Sequence, residues 1–156
     1  MALIYFDSSA LAKLLVQEHG SDLAAQLWDG CDAALASRLA YPEVCAALAA
    51  AGRNHDLSRG DLDVAEQAWE QYWAAVRPVE LTAAVQHEAG QLARTHALRG
   101  ADAVHLASAL AIADPDLVMA AWDERLHAGA ATAGLLVAPA ELPRADLPSS
   151  PVQRGH

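Results

Sequence analysis

Short, wholly apolar runs alternate along this chain with longer stretches in which apolar residues recur every three or four positions. The run "ALIYF" at 2–6 has aromatic and β-branched members and stops at Asp-Ser-Ser. An unbroken apolar run of that length predicts a strand buried on both faces, as in a parallel sheet. "SSALAKLLVQE" follows with helical spacing at Ala10, Leu11, Leu14 and Leu15, and "GSDLAAQLWDG" predicts a short second helix between glycines. "AALAS" at 33–37 predicts a short strand, and 39–51 a helix ended by Gly52. After the polar turn "RNHDLSRGD" comes a helix over 58–75, with Ser58 as its cap and Asp61 in a capping-box position. "RPVEL" at 77–81 predicts another short strand. Helices are expected over 82–97 and 101–113, the second stopped ahead of Pro115. "DLVMAAW" at 116–122 and "GLLVAP" at 134–139 complete the set of buried-strand candidates.

Strands alternating with helices in this way predict an α/β domain with a mostly parallel central sheet. Right-handed crossovers place helices on both of its faces. The domain is expected over 1–139. The remainder, 140–156, is rich in proline and serine, has no period, and is expected to be a flexible tail.

At 156 residues with 54% apolar side chains, the chain suits one domain with one core. No apolar stretch reaches the roughly 18 residues of a membrane span, and no basic segment leads into an apolar run as in a signal peptide. Cys31 and Cys45 match no metal-binding spacing, so a reduced, cytoplasmic protein is expected. The formal charge of −10 changes the picture more. A nucleic-acid binder usually carries a basic surface. A polyanion handled by this chain must be met by a local patch or by bound cations.

Four acids stand where such cations would be held. In open α/β sheets, ligands bind beyond the carboxyl ends of the strands. Asp7 ends the first predicted strand, Asp123 follows the 116–122 strand, and Asp102 opens the helix before it. Each also has a purely structural reading. Asp7 before Ser-Ser is a good helix cap, Asp102 in a first turn complements the helix dipole, and Asp123 can cap the next helix. Three separate caps need not converge on one rim, and that coincidence carries the functional reading. Glu43, in "SRLAYPEVCAAL", has Leu39, Ala40, Ala46 and Ala47 as its helical neighbours. Buried there, it must be paired or metal-bound; at the edge of the apolar stripe, it would reach solvent. The pattern leaves both open.

"IYFDSSALAKLL", "SRLAYPEVCAAL", "LRGADAVHLASAL" and "WDERLHAGAATAGLLV" occur in an order and at spacings that resemble PIN domains, most of all the VapC-type toxin ribonucleases. The resemblance covers about 2–138. It implies a metal-dependent endoribonuclease with an acidic site made of Asp7, Glu43, Asp102 and Asp123, with Ser8 as the adjoining hydroxyl that orients a water or a phosphate oxygen. It also implies a homodimer and a cognate antitoxin covering the groove. The chain departs from the family pattern at Ala121, where many relatives carry threonine, and at Ala46, where some carry arginine.

Hard oxygen ligands with no Cys/His cluster suit Mg²⁺ or Mn²⁺ rather than zinc. Such ions activate a water and stabilise the leaving oxygen of a phosphodiester. Asp7 and Asp102 are expected as principal ligands, with Asp123 and Glu43 completing the ring. His105, one turn after Asp102, is expected to be structural. Trp69 and Trp73 lie i, i+4 on one helix and are expected in the core or an interface. Arg38, Arg53, Arg59 and Arg99 flank loops where an RNA backbone can pass, but each taken singly reads as a solvated surface arginine.

Two other classes compete. A phosphotransferase using Asp7 as nucleophile wants a second aspartate where Ser9 stands, and a receiver domain wants a late lysine, whereas the only lysine is Lys13. A non-catalytic protein-binding domain would use its acids as helix caps alone.

Overall fold

Leu3–Phe6 form β1, the middle strand of a five-stranded, all-parallel sheet in the order β3-β2-β1-β4-β5. The computed structural model describes residues 1–143. The other strands are β2 (Ala33–Ser37), β3 (Arg77–Val79), β4 (Val118–Ala120) and β5 (Leu136–Ala138). The helices are α1 (Ser8–Ala12), α2 (Ser21–Gly30), α3 (Ala40–Arg53), α4 (Arg59–Ala75), α5 (Ala83–His96), α6 (Gly100–Leu110) and α7 (Glu124–Thr132). The expected tail at 140–156 lies outside the described residues from 144 onward.

The two-residue period of β1 divides the core. Ile4 and Phe6 face a layer with Leu11, Val44, Leu48 and Trp69, contributed by α1, α3 and α4. Tyr5 faces the opposite layer with Leu92, Leu106, Met119 and Leu126, from α5, α6, β4 and α7. The sheet is therefore covered on both faces, which is why its strands read as unbroken apolar runs. Trp69 is almost wholly buried and stacks on Tyr41, with Trp73 tilted against both.

Several elements are shorter than the sequence expectation, α6 ending at Leu110 and not at 113, and two differences have a visible local cause. The helix after β1 stops at Ala12, because the chain tightens there into i→i+3 bonds from Leu14 to Leu11 and from Leu15 to Ala12. Lys13 secures this turn by donating to Glu18 and to the His19 carbonyl. Gly52 lies inside α3 and does not end it. Its missing side chain lets Leu62 of α4 lie against the helix: a Cβ at Gly52 would be 2.7 Å from Leu62 Cδ2. Ser58 caps α4 as expected, accepting from the Asp61 amide. Among the described residues, no helix is long and apolar enough to cross a membrane.

Strand order reverses between β1 and β4, since the chain first runs outward through β2 and β3 and then returns to β4 and β5 on the other side of β1. The crevice at the carboxyl ends of β1 and β4 is the place where such sheets bind ligands.

Candidate active site

Asp7 follows β1 directly, and its side chain is only 3% exposed. Its Oδ1 accepts from the Ala10 amide at 2.8 Å and from Ser9 Oγ at 2.7 Å, so Asp7 does cap α1. The cap uses one oxygen; Oδ2 has no hydrogen bond among the described residues. Ser9 Oγ also accepts from the Trp122 amide at 3.4 Å, which ties the end of β4 to that of β1. Burial raises the Asp7 pKa, and the charge of Asp102 raises it further; His105, Ser9 and the Ala10 amide act against both.

Asp123 caps α7 in the same one-sided manner. Its Oδ1 accepts from the Leu126 amide at 3.0 Å, while Oδ2 accepts from Arg99 Nη2 at 3.3 Å. Asp102 is not a cap. It is the third residue of α6, whose N-cap position is Arg99. Its Oδ2 is buried without a hydrogen-bond donor, although Arg99 Nε lies 3.4 Å away in an ion pair. Burial raises the Asp102 pKa, Asp123 and Glu43 add to the rise, and Arg99 and His105 oppose it.

Glu43 sits in the first turn of α3 and is half-buried. Its Oε1 accepts from Ser8 Oγ and from His105 Nε2, both at 2.6 Å. Burial raises its pKa, but the hydrogen bonds from His105 and Ser8 and the attraction of His105 outweigh that, and the net shift is downward. The structure thus draws Asp7, Glu43, Asp102 and Asp123 to one rim. Sequence reasoning set aside two other residues that stand there with them. His105 is 2% exposed and contacts Glu43, Ser8 and Tyr5. Arg99, read from sequence as a surface arginine that an RNA backbone could also meet, spans Asp102 and Asp123. Arg38 is paired with Glu80.

The donor set is all hard oxygen, which fits a divalent cation such as Mg²⁺. The buried, donor-less Asp102 Oδ2 fits it too, as do the burial and, secondarily, the like charges that raise the Asp7 and Asp102 pKa values, since a cation stabilises the ionised carboxylates. As they stand, no three His, Cys, Asp or Glu among the described residues are arranged as a ready metal cage. Protein partners hold the acids instead: Arg99 holds Asp102 and Asp123, and Ser8 and His105 hold Glu43.

The PIN-domain family model matches residues 4–128. Two curated relatives from Mycobacterium tuberculosis, Ribonuclease VapC45 of strain CDC 1551 / Oshkosh and Ribonuclease VapC49 of strain ATCC 25618 / H37Rv, are each 70% identical to the chain over 142 residues. That alignment spans 91% of this chain and 99% of each relative. Among solved structures, the fold is shared with Mycobacterium tuberculosis VapC20, described as a sarcin–ricin-loop-cleaving toxin. The TM-score is 0.62 at 19% identity, over 90% of this chain and 99% of that one. It is also shared with a toxin–antitoxin complex from Klebsiella pneumoniae, with a TM-score of 0.59 at 19% identity, over 83% of this chain and 92% of that one. With a family match over most of its length and relatives this close in sequence, the chain belongs to the PIN-domain family and, within it, to the VapC ribonucleases.

Proposed function

We propose that the protein is a metal-dependent endoribonuclease, the toxin of a type II toxin–antitoxin pair, hydrolysing RNA phosphodiester bonds at the rim formed by Asp7, Glu43, Asp102 and Asp123. The relatives named ribonucleases support the activity class. The single observation that carries the site is Asp102 Oδ2, a carboxylate oxygen buried without a hydrogen-bond donor beside three further acids. Capping does not account for it, since its charged neighbour, Arg99, is an exposed side chain at ion-pair distance.

Bound Mg²⁺ or Mn²⁺ would activate the attacking water and neutralise charge on the phosphate and its leaving 3′-oxygen. The chain's own part is to hold ligands still. Asp7 and Asp102 are the principal ligands, Asp7 through the oxygen its cap leaves free. Asp123 and Glu43 complete the ring. The Ala10 amide and Ser9 fix the Asp7 carboxylate, and Ser8 and His105 fix that of Glu43. Ser8, whose hydrogen goes to Glu43, keeps lone pairs that accept from a water at the same edge.

A chain of net charge −10 approaches RNA with bound cations in place of a basic surface. The partners of this reading are RNA, a cognate antitoxin and a second copy of the chain, working in the cytoplasm. The structural neighbour solved as a toxin–antitoxin complex supports the antitoxin. The reading is tested by incubating total RNA with wild type and Asp7→Asn, each with Mg²⁺ and with EDTA. Cleavage is expected only in wild type with Mg²⁺. Equal cleavage by Asp7→Asn, with an unchanged circular dichroism spectrum, would reject the site.

A further inference from the structure

One buried side chain at the rim has no place in that mechanism beyond its contact with Glu43. His105 projects from α6 between Tyr5 of β1 and Glu43 of α3. Tyr5 is fully buried, and its hydroxyl makes two hydrogen bonds. The backbone amide of Ser37, the last residue of β2, donates to it at 2.9 Å. A phenol has one hydrogen to give, and the other partner within reach is His105 Nδ1 at 2.7 Å. Ser108 Oγ, one turn along α6, lies near enough to the phenol to lower its pKa but makes no hydrogen bond of normal geometry, which leaves His105 Nδ1 as the short partner.

For the neutral imidazole, the tautomer follows from this geometry. The Ser37 amide can only donate, so the phenol oxygen accepts there and donates to Nδ1. Nδ1 then carries its lone pair, and the ring proton sits on Nε2. Nε2 points at Glu43 Oε1, 2.6 Å away, with Ser8 Oγ at 3.2 Å. A hydrogen-bond chain therefore runs from the β2 backbone through Tyr5 and His105 to Glu43, crossing the sheet and joining two helices. Nε2 and Ser8 Oγ both donate to Oε1, which leaves the other carboxylate oxygen free of hydrogen bonds among the described residues.

Resting on the site proposed above, we infer that His105 is a positioning residue whose Nε2–H orients Glu43, and that Tyr5 sets its tautomer through the Ser37 amide. Outer partners of this kind typically cost about 10- to 100-fold in activity or metal affinity when removed. The relay needs only a donor at the Nε2 position. A glutamine amide supplies one, whereas methionine fills similar volume and supplies none.

The test uses the full chain, with total RNA and Mg²⁺ as the reaction mixture. His105→Gln is expected to cleave within a few-fold of wild type and His105→Met to lose about 10- to 100-fold. Equal rates for the two variants would overturn the proposal. Nitrogen NMR of the imidazole rings, assigned to His105 by its absence from His105→Gln, gives a readout that needs no activity. Wild type is expected to show a protonated Nε2 and a bare Nδ1. Tyr5→Phe, which removes only the hydroxyl, is expected to give a tautomer mixture and slower cleavage. A wild-type proton on Nδ1, or a Tyr5→Phe protein with wild-type spectrum and rate, would overturn the inference while leaving the acidic site standing. Full cleavage by Glu43→Gln would instead remove Glu43 from the site and take this proposal with it, even with the expected ring spectrum.

Discussion

Arg99 joins Asp102 to Asp123: its Nε lies 3.4 Å from Asp102 Oδ2 and its Nη2 3.3 Å from Asp123 Oδ2. The guanidinium thereby stands between two of the acids proposed to hold a cation. It is 72% exposed and can swing clear.

Arg99 must therefore compete with the metal. With its guanidinium this exposed, the ion pair is worth about 0.2–1 kcal/mol, so releasing it raises metal affinity by up to about fivefold. Arg99→Gln is expected to bind Mn²⁺ tighter by that factor in isothermal titration calorimetry. Weaker binding would make Arg99 an organiser of the site and not a rival for it.

Asp7 gives a pH prediction. Burial, aided by Asp102, raises its pKa in the folded state, so the folded protein holds this proton more tightly than the unfolded chain does. The cost of keeping Asp7 ionised is present above the folded pKa and is relieved as pH falls through it toward the ordinary aspartate range. Asp7→Asn removes that cost and keeps an acceptor for Ser9 and the Ala10 amide. In EDTA, the variant should melt at or above wild type at neutral pH, and its advantage should shrink in mild acid. A variant that melts lower by the same margin at every pH would reduce Asp7 to its capping role.

The α3–α4 face offers a prediction about the antitoxin. A hollow of about 460 Å³ lies there, floored by Leu48 and Trp69 and rimmed by Asp63, Glu66 and Glu70. An apolar floor with an acidic rim suits an amphipathic segment with basic side chains. Glu66→Arg is expected to weaken capture of the co-expressed antitoxin and leave RNA cleavage unchanged. Undiminished capture would place the antitoxin elsewhere.

Much of this was legible in the residues themselves. "ALIYF" ending in Asp7 located the central strand, because a strand buried on both faces leaves an unbroken apolar run. Glu43 stood out as a charge among alanines. The cap readings of Asp7 and Asp123 and their site readings proved compatible, since a carboxylate has two oxygens and each cap uses one. What escaped was set by distance along the chain. His105 meets Tyr5 across 100 positions and Glu43 across 62, and nothing local to "AVHLA" marks either contact. The early end of α1 likewise depends on where Lys13 finds its acceptors, Glu18 and the His19 carbonyl.

The central claim is that Asp102 belongs to a cation-binding cluster, and four melting curves test it most directly: wild type and Asp102→Asn, each in EDTA and in saturating Mn²⁺. A ligand that binds only the folded state at a hundredfold excess over its Kd adds about 2.7 kcal/mol. For a domain of this size that is roughly 5–10 °C. Wild type should gain that much on adding Mn²⁺, and Asp102→Asn should lose most of the gain. In EDTA the variant should match or exceed wild type, because burial and the neighbouring Asp123 already disfavour the Asp102 charge. Equal Mn²⁺ shifts in the two proteins, with the variant lower by the same amount in both conditions, would contradict the account.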